Sequence, residues 1–156
     1  MKALLLHEED GMRTFALVLA HGDEAMSALS AFAAEKRLGA SQFTAIGAFS
    51  SAVVAFFDWD SKRYQNIRVD EQVEVLSMVG DVSMDRDERK IHAHVVLGKA
   101  DGTAHGGHLV EARVRPTLEI VITETPVHLR RRFDPESGLA LIDPALPVAG
   151  SNSRSR

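Results

Sequence analysis

The stretch Ile91–Val114, IHAHVVLGKADGTAHGGHLVEARV, decides the fold class of this 156-residue chain. Two apolar segments, Ile91–Leu97 and Leu109–Val114, flank a loop over Gly98–Gly107 that carries glycine, aspartate and histidine. Apolar, β-branched runs bounded by turn residues are typical of strands, and a short connection joins antiparallel neighbours. We therefore expect a β-hairpin here.

The sequence on both sides of this hairpin is also rich in strand patterns. Further strands are predicted over Arg13–Ala20, Gln42–Phe49, Ala52–Asp58, Lys62–Val69, Gln72–Met84 and Leu118–Thr125. One helix is predicted from about Glu24 to Leu38, because its apolar residues recur at helical spacing, with Asp23 as N-cap and Gly39 as the C-terminal stop. A second, short helix is possible. The class is α+β: a single domain with a largely antiparallel β-sheet flanked by a few helices.

The composition excludes several classes of protein. Hydrophobic residues make up 45% of the chain and charged residues 26%, as in ordinary globular domains. The absence of cysteine excludes a disulfide scaffold and a cysteine-based zinc finger. A net charge of -4 weighs against a surface that grips nucleic acid throughout. The sequence shows neither a signal peptide nor a membrane span, so we expect a cytoplasmic protein.

The histidines of the predicted hairpin suggest a metal site. His92 and His94 lie two apart in a strand, so both rings occupy one face, about 6.6 Å apart along the backbone. His108 follows Gly106 and Gly107, where hairpin pairing brings it back beside the other two. Three nitrogen ligands leave a fourth position for water or substrate, as in catalytic zinc sites. Zinc is the expected metal, although imidazole also suits nickel, copper and iron.

Two further residues are candidates for the same site. His105 is a rival third ligand, but it lies in the predicted loop, where its position is less constrained. In Gln72–Met84, Glu74 shares a strand face with Leu76 and Met78, while Val73, Val75, Ser77 and Val79 occupy the other face. Glu74 is either an exposed edge residue or a general base or cofactor-binding partner near the histidines.

The C-terminal part of the chain has a different composition. The run Arg130–Arg132 is interpreted as a solvated strand edge that blocks further pairing. Beyond Phe133, three prolines at positions 135, 144 and 147 argue against regular sheet, although Leu139–Ile142 could pack as a short latch. We divide the chain into a domain over 1–133 and an extension over 134–156, and we expect a disordered tail beyond about residue 145.

Four motifs in this order resemble the PPC (plant and prokaryote conserved) domain family across residues 12–133. They are GAFSSAVVAFFD at Gly47–Asp58, VEVLSMVGDVS at Val73–Ser83, HAHVVLGKADGTAHGGHL at His92–Leu109 and PTLEIVI at Pro116–Ile122. The resemblance implies an α+β fold, association into homotrimers, and a metal site at His92, His94 and His108. Prokaryotic members are often named DNA-binding proteins. Plant members carry an AT-hook with an Arg-Gly-Arg-Pro core, which this chain lacks.

Two functions follow as expectations. The first is a DNA-binding or regulatory module that holds a three-histidine metal site in a trimer, with weak and sequence-tolerant DNA binding because no cluster of base-reading residues is visible. The second is a metal-dependent enzyme or a sensor of a small-molecule ligand that uses the same histidines. No substrate or reaction can be derived from the sequence.

Overall fold

The computed structural model describes residues 1–147, which form nine strands and one α-helix. The elements are β1 Lys2–Glu9, β2 Met12–Ala20, α1 Ala25–Glu35, β3 Ser41–Asp58, β4 Arg63–Val69, β5 Val73–Asp85, β6 Glu88–Gly98, β7 Ala104–Glu124, β8 Arg130–Asp134 and β9 Leu139–Ile142. The α+β class is confirmed in part: most of these residues lie in strands, and a single short helix accompanies them. No second helix is present within residues 1–147.

The strands form one sheet that partly closes on itself. Its main order is β1-β2-β7-β3-β5-β8-β9, while β4 pairs with β3, and β6 pairs with both β5 and β7. Strands β3, β5, β6 and β7 therefore form a closed ring of antiparallel pairs. The parallel pair is β5 with β8. This closure brings the β6–β7 hairpin close to the outer part of β3.

The core lies between one face of the sheet and α1. Alternating residues of β2, β3 and β7 turn inward, and Phe15 meets Phe32 of the helix edge-to-face at 5.4 Å between ring centroids. The predicted helix is shorter than expected. Glu24, not Asp23, is its N-cap, because the Glu24 carboxylate accepts hydrogen bonds from the amides of Met26 (3.1 Å) and Ser27 (2.7 Å).

The C-terminal end of α1 also differs from the prediction. The helix ends at Glu35, and Arg37 adopts the left-handed conformation at φ 55°, two residues before the expected Gly39 stop. The amide of Leu38 returns to the carbonyl of Ala33, which closes the last turn without glycine.

Several strand boundaries need correction. The two segments predicted around Phe49 and Ala52 are one strand, β3, and those predicted on either side of Pro116 are one strand, β7. The partners of β3 jump from Leu118 to Val114, and this irregularity lets β7 pass Pro116. Strand β1 was not predicted, because all eight of its residues are exposed and it shows no burial alternation.

The C-terminal region is more regular than its prolines suggested. β8 pairs with β9 in an antiparallel hairpin, so the expectation that Pro135 and Pro144 exclude sheet here was wrong. Pro135 follows the end of β8 and Pro144 follows β9, so neither interrupts a strand. The split into 1–133 and 134–156 stays a prediction, and most of the predicted disordered tail lies at 148–156, outside the described residues.

Strand β5 contains a bulge that overturns the predicted faces. Its register with β6 shifts between Val75 and Ser77. Val73, Val75 and Met78 are consequently buried, whereas Leu76 and Ser77 are both exposed. A single extra residue reverses the alternation after that point, which strict period-two counting cannot anticipate. As a separate finding, no helix within residues 1–147 is long and apolar enough to cross a membrane.

Candidate metal centre

The β6–β7 hairpin brings three histidines together. Ala93 is fully buried, so His92 and His94 on either side of it point to the opposite face of β6. His94 lies directly opposite His108 in the antiparallel register. The three rings form a triangle with centroid separations of 5.0, 5.3 and 5.6 Å. The hairpin pairing predicted from the sequence therefore produces this cluster.

A glycine before His108 allows this position of β7. A Cβ atom on Gly107 would lie 2.7 Å from the carbonyl oxygen of Ala55 on β3. Because Ala55 is also the β3 partner of His108, any larger residue at Gly107 would push β7 away from β3 at the cluster. The glycine in the Gly-Gly-His sequence thus fixes where the His108 ring stands.

The separations of the ring nitrogens fit a shared metal ion. Nε2 of His92 and Nε2 of His94 lie 3.2 Å apart. Zinc–nitrogen bonds of about 2.0–2.1 Å in a tetrahedron separate two ligand nitrogens by about 3.4 Å. Ligand atoms of all three histidines lie within 4.8 Å of one another. Small side-chain rotations would therefore complete a three-nitrogen set.

The protonation chemistry of the cluster also suits a metal. Nδ1 of His108 is buried and has no hydrogen-bond partner among the described residues, which is costly for a polar atom. Burial, together with the neighbouring His92 and His94, lowers the pKa of His108. Burial and His92 lower the pKa of His94 in the same way. Both rings are thus kept neutral, which is the form that binds metal.

Asp81 on β5 adjoins the cluster, and sequence reasoning missed it. It lies opposite His92 in the β5–β6 register, with its Oδ2 3.4 Å from His92 Nδ1. Burial raises the pKa of Asp81, but contacts with His92, Ser83 and Arg131 outweigh this and hold that pKa below its usual value. This register follows from the two-residue turn Arg86–Asp87, where Asp85 pairs with Glu88. A turn one residue longer would place Ala93 opposite Asp81, so the contact depends on a turn length that the sequence pattern does not give.

The interpretation of Arg130–Arg132 as a solvated strand edge is wrong for Arg131. Its side chain is only 9% exposed and lies 2.8 Å from Asp81, so it is not part of a solvated edge. Arg132 is different: its side chain is 60% exposed and pairs with Asp143. Consecutive residues of a strand point in opposite directions, and only one of these two faces the candidate centre.

A cleft of about 400 Å³ opens above the histidines. One wall is aromatic: the Tyr64 ring is tilted against His108 at 4.8 Å and meets Phe57 edge-to-face at 5.2 Å, both between ring centroids. The opposite wall is formed by Leu139, Ala140 and Leu141 of β9. The cleft offers a small molecule both apolar surface and access to the imidazoles.

The other two predicted candidates lie elsewhere. Glu74 is exposed on β5, where its register partner on β6 is Gly98, and it is not among the residues that line the cleft. His105 is exposed on β7 opposite Leu97, in a strand and not in the predicted loop. It does not belong to the three-histidine group.

Comparisons with known proteins agree with this architecture. The model of the Plants and Prokaryotes Conserved (PCC) domain matches residues 6–126. The chain is 36% identical to a metal-containing protein from Archaeoglobus fulgidus, with 83% of this chain and 91% of that one covered and a TM-score of 0.77. It is 27% identical to a PPC protein from Pyrococcus horikoshii, with coverages of 91% and 94% and a TM-score of 0.78.

A third solved structure is similar in the same way. It is a "putative DNA-binding protein" from Ralstonia eutropha JMP134, 29% identical, with coverages of 85% and 91% and a TM-score of 0.78. No curated protein matches the sequence. The family match spans most of the chain, and both the fold and the ordered motifs agree with it. The chain therefore belongs to the plant and prokaryote conserved domain family.

Proposed function

We propose that His92, His94 and His108 bind one divalent transition ion, and that this ion is zinc. The observation that carries the proposal is the convergence of three imidazoles, two of which have their Nε2 atoms 3.2 Å apart. In the third, the buried Nδ1 has no hydrogen-bond partner within residues 1–147. The 36% identity to a metal-containing protein supports it. Three imidazole nitrogen donors without thiolate suit zinc and its neighbours in the first transition row.

The residues of the chain determine what such a site can do. A zinc ion bound there would supply a Lewis-acid position for water or another small ligand. His94 and His108 remain neutral because their pKa values are lowered, so they can bind without first losing a proton near pH 7. Tyr64 and the β9 residues line the open side of the cluster, where a small ligand would meet them.

Metal analysis of the purified full chain tests this proposal. After loading with zinc and gel filtration, we expect close to one zinc ion per chain. A variant with all three histidines replaced by alanine should retain none, while its circular dichroism stays that of a folded sheet. Absence of bound zinc in the loaded parent protein would overturn the proposal.

A small-molecule ligand is the second role that the geometry favours, and it would make the protein a metal-dependent enzyme or a sensor. The supporting observation is the cleft of about 400 Å³, whose volume lies within the range of small-molecule sites. A chelator should abolish binding or turnover of any such compound. A compound that binds equally well to the triple-alanine variant would contradict this role.

DNA binding is a separate candidate, supported by the likeness to the Ralstonia eutropha protein. We infer that any affinity is weak and sequence-tolerant, because the net charge is -4 and Arg131 is committed to contacts within the protein. A mobility-shift titration at physiological salt should show binding only at micromolar or higher protein concentration, and the affinity should fall steeply with added salt. Nanomolar, sequence-selective binding would refute this inference.

We also propose that the chain forms a homotrimer, as the family resemblance implies. The outer face of the sheet carries large exposed apolar side chains on neighbouring strands, and such patches often mark interfaces. They are Val18, Ile46, Leu76, Val79 and Val121, which are 39–60% exposed. Light scattering should give three times the chain mass. Ile46→Glu should lower that mass, whereas Ile67→Glu on β4 should not; a monomeric parent protein would contradict the proposal.

A further inference from the structure

The C-terminal hairpin β8–β9 reaches the candidate metal centre although it lies outside the part of the chain that matches the family model, residues 6–126. β8 pairs in parallel with the end of β5, where Met84 lies opposite Arg130 and Asp85 opposite Arg131. This pairing sets the hairpin against the segment of β5 that contains Asp81. Leu139–Leu141 of the same hairpin line the cleft.

Each guanidinium nitrogen of Arg131 donates a hydrogen bond to another group of the protein. Nε donates to the Ser83 hydroxyl at 2.7 Å, one terminal nitrogen donates to Asp81 Oδ1 at 2.8 Å, and the other donates to the carbonyl of Ala140 at 2.9 Å. The side chain is 9% exposed. The guanidinium therefore links β5 to β9.

Asp81 extends this link to a metal-ligating ring. Its Oδ1 accepts from Arg131 and from the Ser83 hydroxyl, the latter at 2.8 Å. Its Oδ2 is left facing Nδ1 of His92 at 3.4 Å. A carboxylate at Nδ1 favours the tautomer whose proton is on Nδ1, which leaves the lone pair on Nε2. That Nε2 is the atom 3.2 Å from Nε2 of His94.

We propose that Arg131 is a positioning residue of the metal centre. It holds Asp81 so that Asp81 fixes the orientation and tautomer of His92, and it thereby couples the C-terminal hairpin to metal affinity. The inference rests on the proposed metal-binding function. Carboxylates that orient metal-bound histidines change affinity by about 10–100-fold when removed. Because the coupling is reciprocal, bound metal should also stabilise β8–β9.

The test compares two adjacent arginines in the full-length chain, with Co²⁺ alone as the probe. Arg131→Met keeps approximately the length of the side chain and removes the three nitrogen atoms that donate these hydrogen bonds. Arg132→Met is the matched control, since Arg132 lies on the same strand but pairs with Asp143 at 2.9 Å, away from Asp81. The dissociation constant is measured by competition with a chelator. The absorption spectrum of bound Co²⁺ reports ligand geometry.

We expect Arg131→Met to weaken Co²⁺ binding by about 10–100-fold and to alter the spectrum, and Arg132→Met to change affinity less than about twofold. Arg131→Lys should fall between the two, because an ammonium can reach Asp81 but cannot also serve Ser83 and Ala140. Amide hydrogen exchange in β8–β9 should slow on Co²⁺ binding in the parent protein and respond less in Arg131→Met.

The outcomes separate this inference from the proposed function. A parent protein that binds no Co²⁺ refutes both. A parent protein that binds Co²⁺, with Arg131→Met folded and unchanged in affinity and spectrum, refutes the positioning role alone. If Arg131→Met does not fold, the Co²⁺ affinity of Asp81→Asn tests the positioning role instead, because this substitution keeps the side-chain volume and replaces the oriented carboxylate. Unchanged affinity in Asp81→Asn would overturn the inference.

Discussion

Two carboxyl groups, those of Glu124 and Asp81, occupy contrasting environments. Glu124 is 3% exposed and accepts hydrogen bonds from the amides of Gly39 (2.8 Å) and Ala40 (3.1 Å) and from the Ser41 hydroxyl. Two of these partners lie in the connection between α1 and β3, and the third, Ser41, is the first residue of β3. The side chain of Asp81 is 22% exposed, and it leaves one oxygen facing a histidine.

This difference distinguishes a structural contact from a candidate site. Around Glu124, each buried donor named above has an acceptor, so the group fastens the start of β3 to the end of β7. Around Asp81, the chain of contacts ends in three imidazoles, one of which has a buried nitrogen without a partner in the described part of the chain. Buried polar groups that are fully paired stabilise a fold, whereas an unpaired one calls for an explanation, which the proposed metal ion would supply.

The largest effect that this comparison predicts is on stability. Glu124→Ala should lower the free energy of unfolding by about 3–5 kcal/mol, because it leaves two buried amides and a hydroxyl without acceptors. Urea denaturation measures this loss. Glu111→Ala, at an exposed position on the same strand, should change stability by less than about 0.5 kcal/mol.

The zinc content of Glu124→Ala tests whether Glu124 and Asp81 have separate roles. The folded fraction of Glu124→Ala should still bind zinc, since Glu124 is not among the residues of the cleft. If Glu124→Ala lowers the free energy of unfolding by less than about 1 kcal/mol, water replaces its hydrogen bonds and the contrast between Glu124 and Asp81 is incorrect.

The second effect concerns the histidines. His94→Ala should abolish stoichiometric zinc binding, because it removes one of the two nitrogens that lie 3.2 Å apart. The fold should survive, since the neighbouring Ala93 and Val95 supply the buried contacts of β6. Metal analysis of the purified variant provides the measurement.

His105→Ala is the matched control for this substitution. Because His105 is exposed and lies outside the three-histidine group, its replacement should leave the zinc content nearly unchanged. Equal losses from both substitutions would show that the third ligand has been misidentified. No change from either would reduce the cluster to polar side chains with a structural role.

The smallest effect is a pH dependence of the metal-free protein. The pKa values of His94 and His108 are lowered on folding, so below pH 6.5 the unfolded chain binds more protons than the folded one. Stability should therefore fall as the pH drops from about 6.5 through the lowered values, and level off below them. Thermal unfolding at a series of pH values detects this decline.

The triple-alanine variant is the control for this pH dependence and should lose the part of the slope that arises from His94 and His108. Zinc affinity should fall over the same range, because protons compete for the same nitrogens. The competition should begin at lower pH than for free imidazole, since both pKa values are lowered. A stability that rises on acidification through this range would contradict the direction of both shifts.

Local patterns allowed much of the site to be predicted. The period of two placed His92 and His94 on one face, and hairpin pairing across a short loop brought His108 to them. Prediction from the sequence pattern fails where one extra residue changes the register of a strand. The bulge at Leu76, between Val75 and Ser77, breaks the alternation of β5, and this is why the predicted face shared by Glu74 and Met78 does not exist.

Local patterns were sufficient to predict helix α1, most strands and the histidine pair, because side-chain direction follows the backbone period. Which distant groups meet follows from the arrangement of the whole sheet. Arg131 is separated from Asp81 by 50 residues, and Glu124 from Ser41 by 83. Such contacts depend on strand order and register across the whole sheet, which are fixed by the burial of the core and not by any local pattern.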